Sequence, residues 1–365
     1  MIKSKNKKNC LLFILFILNL SDVFANTQWP MWERFKQFYI SSDGRVIDPQ
    51  LPEKKTTSEG QSYGLFFALV AGDQVIFEKL LHWTENNLAA GNLGKHLPAW
   101  EWGQNSKKKW TVLDTNSAAD SDLWIAYDLL EAGRIWNNKR YQSLGEKLLR
   151  RILKEEVIEI PGLGLMLLPG KTGFNFKKSW RLNPSYLPPQ LFARFALYDS
   201  KWATLEQNSK RLLLETSPKG FAPDWVLWKV NKGWQPDLQY PNLGSYNAIR
   251  VYLWVGMLAQ DAPQAGDLIG HFLPIVGVTQ QLGAPPEKIN TVSGKTQGKG
   301  PIGFSAALLP LLTNYPSELT IQKKRVEAQE LTGGEYYNSV LRLFGEGWEE
   351  NRFRFNAKGE LILPR

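Results

Sequence analysis

Thr56-Thr57-Ser58-Glu59-Gly60-Gln61-Ser62-Tyr63-Gly64-Leu65-Phe66-Phe67-Ala68-Leu69-Val70 sets the reading of the whole chain. Ser58 with Gln61 three residues on has the form of a capping box, which places Glu59 in the first turn of a helix. Leu65, Phe66, Leu69 and Val70 follow at helical spacing and give that helix its buried face. The same spacing runs from Trp29 onward between short Gly, Pro and Asn breaks and predicts about twelve helices. They begin near Trp32, Gln61, Val75, Asp120, Arg140, Pro189, Ala203, Ser245, Gln264, Gly303, Ile321 and Tyr336. Val, Ile and Thr runs are scarce; the exceptions are 156–160 with 164–168, a hairpin around Pro161-Gly162, and the tail 352–363. Long irregular stretches at 89–118, 169–187, 217–244 and 282–300 separate helices, and loops of that length inside a compact domain are usually functional. No repeat of 20–50 residues stands out, which argues against a superhelical array. The expectation is an all-α chain: helix pairs around one core, an α/α barrel with its site on the loop face and a small β-hairpin there.

The composition agrees with a folded globular chain: 365 residues, 43% hydrophobic and 22% charged. One cysteine excludes a disulfide framework, a cysteine-based zinc site and an iron–sulfur cluster. His82, His96 and His271 are too far apart for a local metal motif, and no cofactor is expected. Residues 1–25 read as a signal peptide, with Lys3, Lys5, Lys7 and Lys8 ahead of the apolar run Leu11–Leu20 and Val23-Phe24-Ala25 at the cleavage site. That run is short of the roughly 20 residues a membrane-spanning helix needs. Cys10 opens it rather than following it, which does not fit a lipoprotein anchor. The expectation is a periplasmic or secreted protein whose single domain is 26–365, without stable membrane insertion. The net charge of +9 becomes +6 without Lys3, Lys5, Lys7, Lys8 and Asp22. Its densest run, Lys107-Lys108-Lys109, is short, and no basic stripe or nucleic-acid motif emerges.

Four clusters carry chemistry. In the first, two glycines and a tyrosine crowd Glu59, more than a plain helix cap requires. The second, Asp114-Thr115-Asn116-Ser117-Ala118-Ala119-Asp120-Ser121-Asp122, runs into the helix 123–136; it lacks the glycine and glutamate of a calcium loop. The third, Asn183-Pro184-Ser185-Tyr186, presents a phenol just before a helix. The fourth, Gly244-Ser245-Tyr246-Asn247-Ala248-Ile249-Arg250, repeats the form of the first. Fifteen tryptophans complete the picture. Most suit a core, but Trp100, Trp102, Trp110, Trp180, Trp225, Trp228 and Trp234 fall on the irregular stretches. Indole faces stack on sugar rings, and acids, amides and arginine bind the hydroxyls, so an exported all-α chain with these residues points to a polysaccharide.

These clusters, with Leu97-Pro98-Ala99-Trp100, Gly298-Lys299-Gly300-Pro301 and the tail 348–359, resemble the motifs of glycoside hydrolase family 8 in order and over nearly the whole mature chain. Within the family, the likeness is to the periplasmic endoglucanases encoded with bacterial cellulose synthase. The resemblance implies an (α/α)6 barrel and metal-free, inverting hydrolysis of β-1,4-glucan (cellulose), with the cellulose synthesis and export machinery as a partner. By position, Glu59 matches the general acid, Asp120 the carboxylate that holds the sugar at the cleavage point, and Tyr186 the tyrosine that places the water. Arg250 follows the base position by one helical turn and should orient groups there. Trp100 and Trp180 match stacking platforms, and Asp122 reads as structural.

The catalytic base position departs from the family: its Ser-Tyr-Asp-Ala-Ile-Arg motif has aspartate where this chain has Asn247. An amide can hydrogen-bond a water but cannot readily take its proton. One reading takes the base from another loop, with Asp237 or Asp224 on 217–244. A second is a silent glucan-binding protein of the cellulose export apparatus. In a third, the asparagine replaces a native aspartate. A same-fold xylanase or chitosanase is a further alternative, and the positive charge weighs against a polycation such as chitosan.

Overall fold

The computed structural model describes residues 29–49 and 54–364. The expected signal segment 1–25 lies outside the described residues. The helices alternate between an inner and an outer layer. The inner ones are α2 (Ser58–Val70), α4 (Ala119–Ile135), α6 (Pro189–Phe195), α8 (Ile249–Gly256), α11 (Ile302–Leu308) and α13 (Tyr336–Glu349). Around them lie α1 (Pro30–Tyr39), α3 (Gln74–Leu88), α5 (Lys139–Glu155), α7 (Lys201–Glu215), α9 (Ala265–Phe272), α10 (Pro274–Leu282) and α12 (Pro316–Glu327). Every expected helix is present. The one expected near Gln264 is two helices, because Pro274 has no N–H to continue α9 and instead opens α10.

The layers follow from composition. In α4 every residue from Ala119 to Gly133 is buried, and α11 is buried throughout, so neither needs a polar face. By contrast α5 buries only Tyr141, Gly145, Leu148, Leu149 and Ile152, a stripe at spacings of three and four. Each inner helix packs on the next, α2 on α4, α4 on α6, α6 on α8, α8 on α11 and α11 on α13. Phe344 of α13 meets Phe66 and Phe67 of α2, with ring centroids 5.3 and 4.7 Å apart, which brings the last inner helix against the first. The architecture is an (α/α)6 barrel. Its axis is filled by Tyr63, Trp124, Trp254 and Phe344, with centroid separations of 5.2–5.5 Å between neighbouring rings. Packing of this kind accounts for many of the tryptophans.

The inner helices all begin at one end of the barrel, where the connecting segments gather. The hairpin expected near Pro161-Gly162 is there, Val157–Ile160 pairing antiparallel with Gly164–Leu167. The tail pair Arg354–Phe355 with Leu361–Ile362 also forms, but at the opposite end, where Leu361 bonds Glu131 and Arg134 late in α4. The other long stretches are more ordered than expected. Strands 56–57, 101–104 and 110–114 form one sheet; 175–176, 179–182, 226–229 and 233–236 a second; 243–244, 286–290 and 296–299 a third. Strands of two to five residues are too short for alternation to show in sequence.

The first of these sheets corrects the capping box. Thr57 is held extended by pairing with Glu101, so Thr57, not Ser58, is the N-cap, and its hydroxyl accepts from the Gly60 amide at 3.1 Å. Ser58 is freed to bond the Ser121 hydroxyl at 2.6 Å, joining α2 to α4. Gln61 turns inward to the Val46 amide and the Gly44 carbonyl.

The tightest helix contact lies between α11 and α13. A Cβ on Gly345 would stand 1.8 Å from the Ala306 carbonyl oxygen, which is backbone and cannot swing away. Gly345→Ala is expected to cost about 1–3 kcal/mol through overpacking, read as a lower thermal unfolding midpoint.

Candidate active site

Arg250, in the first turn of α8, is 5% exposed and extends toward the mouth of the barrel. Its Nη1 donates to Glu59 in the first turn of α2. Its Nη2 donates to Asn247 Oδ1 at 2.9 Å and to the Ser185 hydroxyl at 3.1 Å. Burial works against a charged guanidinium, but Glu59 above all outweighs it and keeps Arg250 charged. The backbone of Ser185 is held in turn, its carbonyl accepting from Trp254 Nε1 at 2.9 Å. Three of the four sequence clusters therefore converge on one side chain.

Asp120, 3% exposed at the start of α4, brings in the remaining cluster. Its Oδ1 accepts from the Ser121 amide at 2.8 Å, Oδ2 has no N–H donor among the described residues, and the carboxyl shares a hydrogen bond with Glu59. Burial first, then the negative charge of Glu59, pushes Asp120 well above the usual carboxylate range; Arg250 and the Ser121 amide only temper this. Tyr186 closes the 3₁₀ turn Pro184–Tyr186, with Arg250 5.9 Å from its ring centre. Burial and the nearby Asp120 raise its phenol, so it remains a hydrogen-bond donor.

The orientation of the Asn247 amide follows from its neighbours. Asn183 Oδ1 accepts from the amide and hydroxyl of Ser185, at 3.0 and 2.8 Å, so Asn183 Nδ2 must face Asn247. It donates to Asn247 Oδ1 at 3.3 Å, alongside Arg250. Two donors thus hold the carbonyl oxygen, and the free end of the side chain is the NH₂ group. It can only donate.

Neither substitute base from the sequence is free to act. Asp224 Oδ1 accepts from the amides of Ser245, Asn247 and Ala248 at 2.9, 3.0 and 2.7 Å, and Oδ2 from the Ser245 hydroxyl. It builds the turn that carries Asn247. Asp237 grips Arg181 at 2.7 and 3.2 Å and also accepts from the Gln239 and Tyr240 amides. Burial opposes its charge, but Arg181 and these amides prevail and leave its pKa below the usual value.

The aromatic platforms come out differently. Trp100 is half-buried beside Glu59, its carbonyl accepting from the Ser58 amide at 3.0 Å and its own amide donating to Asn116 at 2.8 Å. Trp180 is a correction: at 8% exposed it belongs to the core, because its strand lies between two others and the ring faces inward. Trp225 takes its place at the cleft, half-buried, 6.1 Å from the Tyr186 ring and stacked on Phe174 at 6.0 Å, with Arg181 4.0 Å from its centre.

Tyr336 and Tyr337 at the start of α13 complete the mouth, and sequence reasoning gave them no role. Tyr337 donates to the Tyr246 carbonyl at 2.6 Å, and Arg250 and Glu59 both act on its phenol. The crowding around Glu59 also has its explanation here: a Cβ on Gly60 would stand 2.9 Å from the Tyr336 hydroxyl. The only available signal was the Tyr-Tyr pair at a helix start.

The sequence pattern described as "Glycosyl hydrolases family 8" matches residues 6–351. The chain is 53% identical over 352 residues to an endoglucanase of Escherichia coli O157:H7, covering 96% of this chain and 95% of that one. It is 53% identical over 350 residues to an endoglucanase of Salmonella typhi, covering 96% and 94%. The crystal structure of endo-1,4-D-glucanase from Vibrio fischeri ES114 superposes with a TM-score of 0.89 at 48% identity, over 92% of this chain and 99% of that one. A barrel with carboxyls gathered where its inner helices begin, and likeness of this extent, place the chain in family 8 of the glycosyl hydrolases.

Proposed function

We propose that this chain is an endo-β-1,4-glucanase that acts on cellulose in the periplasm or outside the cell, in service of cellulose synthesis and export. The observation that carries this is the meeting of Glu59, Asp120 and Arg250 at the barrel mouth, with Trp100 and Trp225 beside them, in a member of this family. The relatives named endoglucanase support the substrate class.

In this reading a glucan chain crosses the mouth with its rings on the indoles. The hydrogen bond between Asp120 and Glu59 lets one proton pass from Asp120 to Glu59 and on to the leaving glycosidic oxygen, which leaves Asp120 ionised. Inversion also needs an ionised carboxylate about 6.5–9.5 Å across, with the attacking water between. Asn247 and Tyr186 can hold that water, but the amide presents hydrogens to it rather than a lone pair. Bond breaking then proceeds with acid assistance, the attacking water gives up its proton to surrounding solvent only after bonding to the anomeric carbon, solvent returns a proton to Asp120, and turnover is slow. The same amide favours the second reading, a glucan-binding protein that does not cut.

Reducing-end release from carboxymethylcellulose separates the two. Slow release by the unmodified chain, faster by about 10²–10⁴ in Asn247→Asp and lost in Glu59→Gln, is the expected pattern. Release by Asn247→Asp alone would favour the binding protein, and parallel assays on xylan and chitosan test the substrate. Arg250→Lys cannot reach Glu59, Ser185 and Asn247 together; leaving a buried partner unpaired is expected to cost about 1–3 kcal/mol, read by denaturant unfolding, and to slow release further. For export, the protein recovered from a periplasmic extract should have a mass that starts at Asn26.

A further inference from the structure

Behind Asp120 lies a second pair of carboxyls that the proposed chemistry does not use. Asp122, in the first turn of α4, and Glu156, at the C-terminal cap of α5, are both 0% exposed. Among the described residues no N–H or hydroxyl donates to either oxygen of Asp122 or to Glu156 Oε2, and the two side chains hydrogen-bond each other. Two buried acids side by side are satisfied when one keeps its proton and donates it to the other.

The pair sits at a seam. Ser117 donates its hydroxyl to Glu156 and accepts from the Lys171 amide at 3.1 Å. The Leu168 amide donates to the Glu156 carbonyl at 2.8 Å and the Ala119 amide to the Pro169 carbonyl at 2.9 Å. Asn116 and Thr172 exchange two bonds, at 3.0 and 3.1 Å. The strip 116–119 is thus zipped onto 168–172. Its upper end holds the Trp100 amide, and its lower end runs straight into Asp120.

We propose that Asp122 and Glu156 form a proton-holding pin that positions Asp120 and Trp100, so that the cleft loosens on glucan as the pin loses its protons. The full burial of both acids and the hydrogen bonds of the seam carry the pin; only the choice of glucan as its readout rests on the proposed function. The charged groups that act on the pair are Asp120 on α4, Glu155 on α5 and Lys171 on the facing loop. Burial, opposed by the Ser117 and Asp122 hydrogen bonds, pushes Glu156 up to about 7, and burial with the charge of Glu156 holds Asp122 well above the usual carboxylate range. Acids raised in the folded state give stability that is fully present below their unfolded pKa and lost as pH rises through the folded one. The loss therefore begins above the ordinary carboxylate range and continues through about 7 and beyond.

The test follows cellohexaose affinity, thermal midpoint and amide exchange in 115–120 and 168–172, corrected for intrinsic pH dependence, from pH 5 to 9. In the unmodified chain all three are expected to weaken as pH rises, the affinity by tenfold or more. Asp122→Asn keeps the shape and supplies a permanent donor to Glu156. It should retain affinity at pH 5 and cut the alkaline loss of affinity to threefold or less, and Glu156→Gln should do the same. Asp122→Ala should bind at least tenfold more weakly throughout, a loss that Asp122→Asn does not share. Parallel pH profiles for the unmodified chain and Asp122→Asn would overturn the pin, as would a folded Asp122→Ala with full affinity. If no variant binds cellohexaose at any pH, the glucan reading fails; exchange in the two segments then decides the pin, supporting it if Asp122→Asn preserves protection at pH 9 and overturning it if not.

Discussion

A single buried guanidinium holds the mouth of this barrel together. A charge as enclosed as that of Arg250 is tolerated only if its hydrogens find partners, and those it finds lie on three separate segments: Glu59, Ser185 and Asn247. Satisfying Arg250 therefore fixes where α2, the turn before α6 and the start of α8 stand relative to one another. Glu59 and Asp120 sit in the first turns of α2 and α4, where the helix dipoles favour negative charge. The architecture that gathers six helix starts at one end is what makes a cluster of carboxyls affordable there.

Against this background Asn247 is a substitution of function and not of shape. Its carbonyl oxygen receives the two donors that a carboxylate oxygen would receive in that place. What changes is the other end of the side chain, which offers hydrogens instead of a lone pair, and the site carries one negative charge fewer. Arg250 is then left with Glu59 as its one anionic hydrogen-bond partner, so the missing base also alters the surroundings of the acid. Asp224 and Asp237, the nearby acids in sequence, are spent on building the turn and anchoring Arg181.

Much of this was legible in the chain. The helices were visible because apolar residues recur at the helical period over long segments, and the clusters because polar residues crowd a few helix starts. The errors were local in origin. Ser58 looked like a cap because the rule reads four residues, whereas strand pairing to Glu101, more than forty residues away, moves the cap to Thr57. Trp180 looked like a platform because it lies on a long loop, but that loop folds into a sheet and buries it, leaving Trp225 at the cleft.

The sequence by itself determined the helical architecture, the polar clusters at a few helix starts and the presence of an amide at position 247, whereas the meeting of Glu59, Asp120, Tyr186 and Arg250 in one site was implied by the family resemblance. Periodicity and residue identity are properties of short segments, and they survive without knowledge of what lies across the molecule. Only the tertiary structure decided which way that amide points, that Asp224 and Asp237 are already engaged, and that Asp122 faces Glu156 at the seam beneath the cleft. Each of these depends on hydrogen bonds between residues far apart in sequence, and a donor's partner is set by where the packed helices bring it.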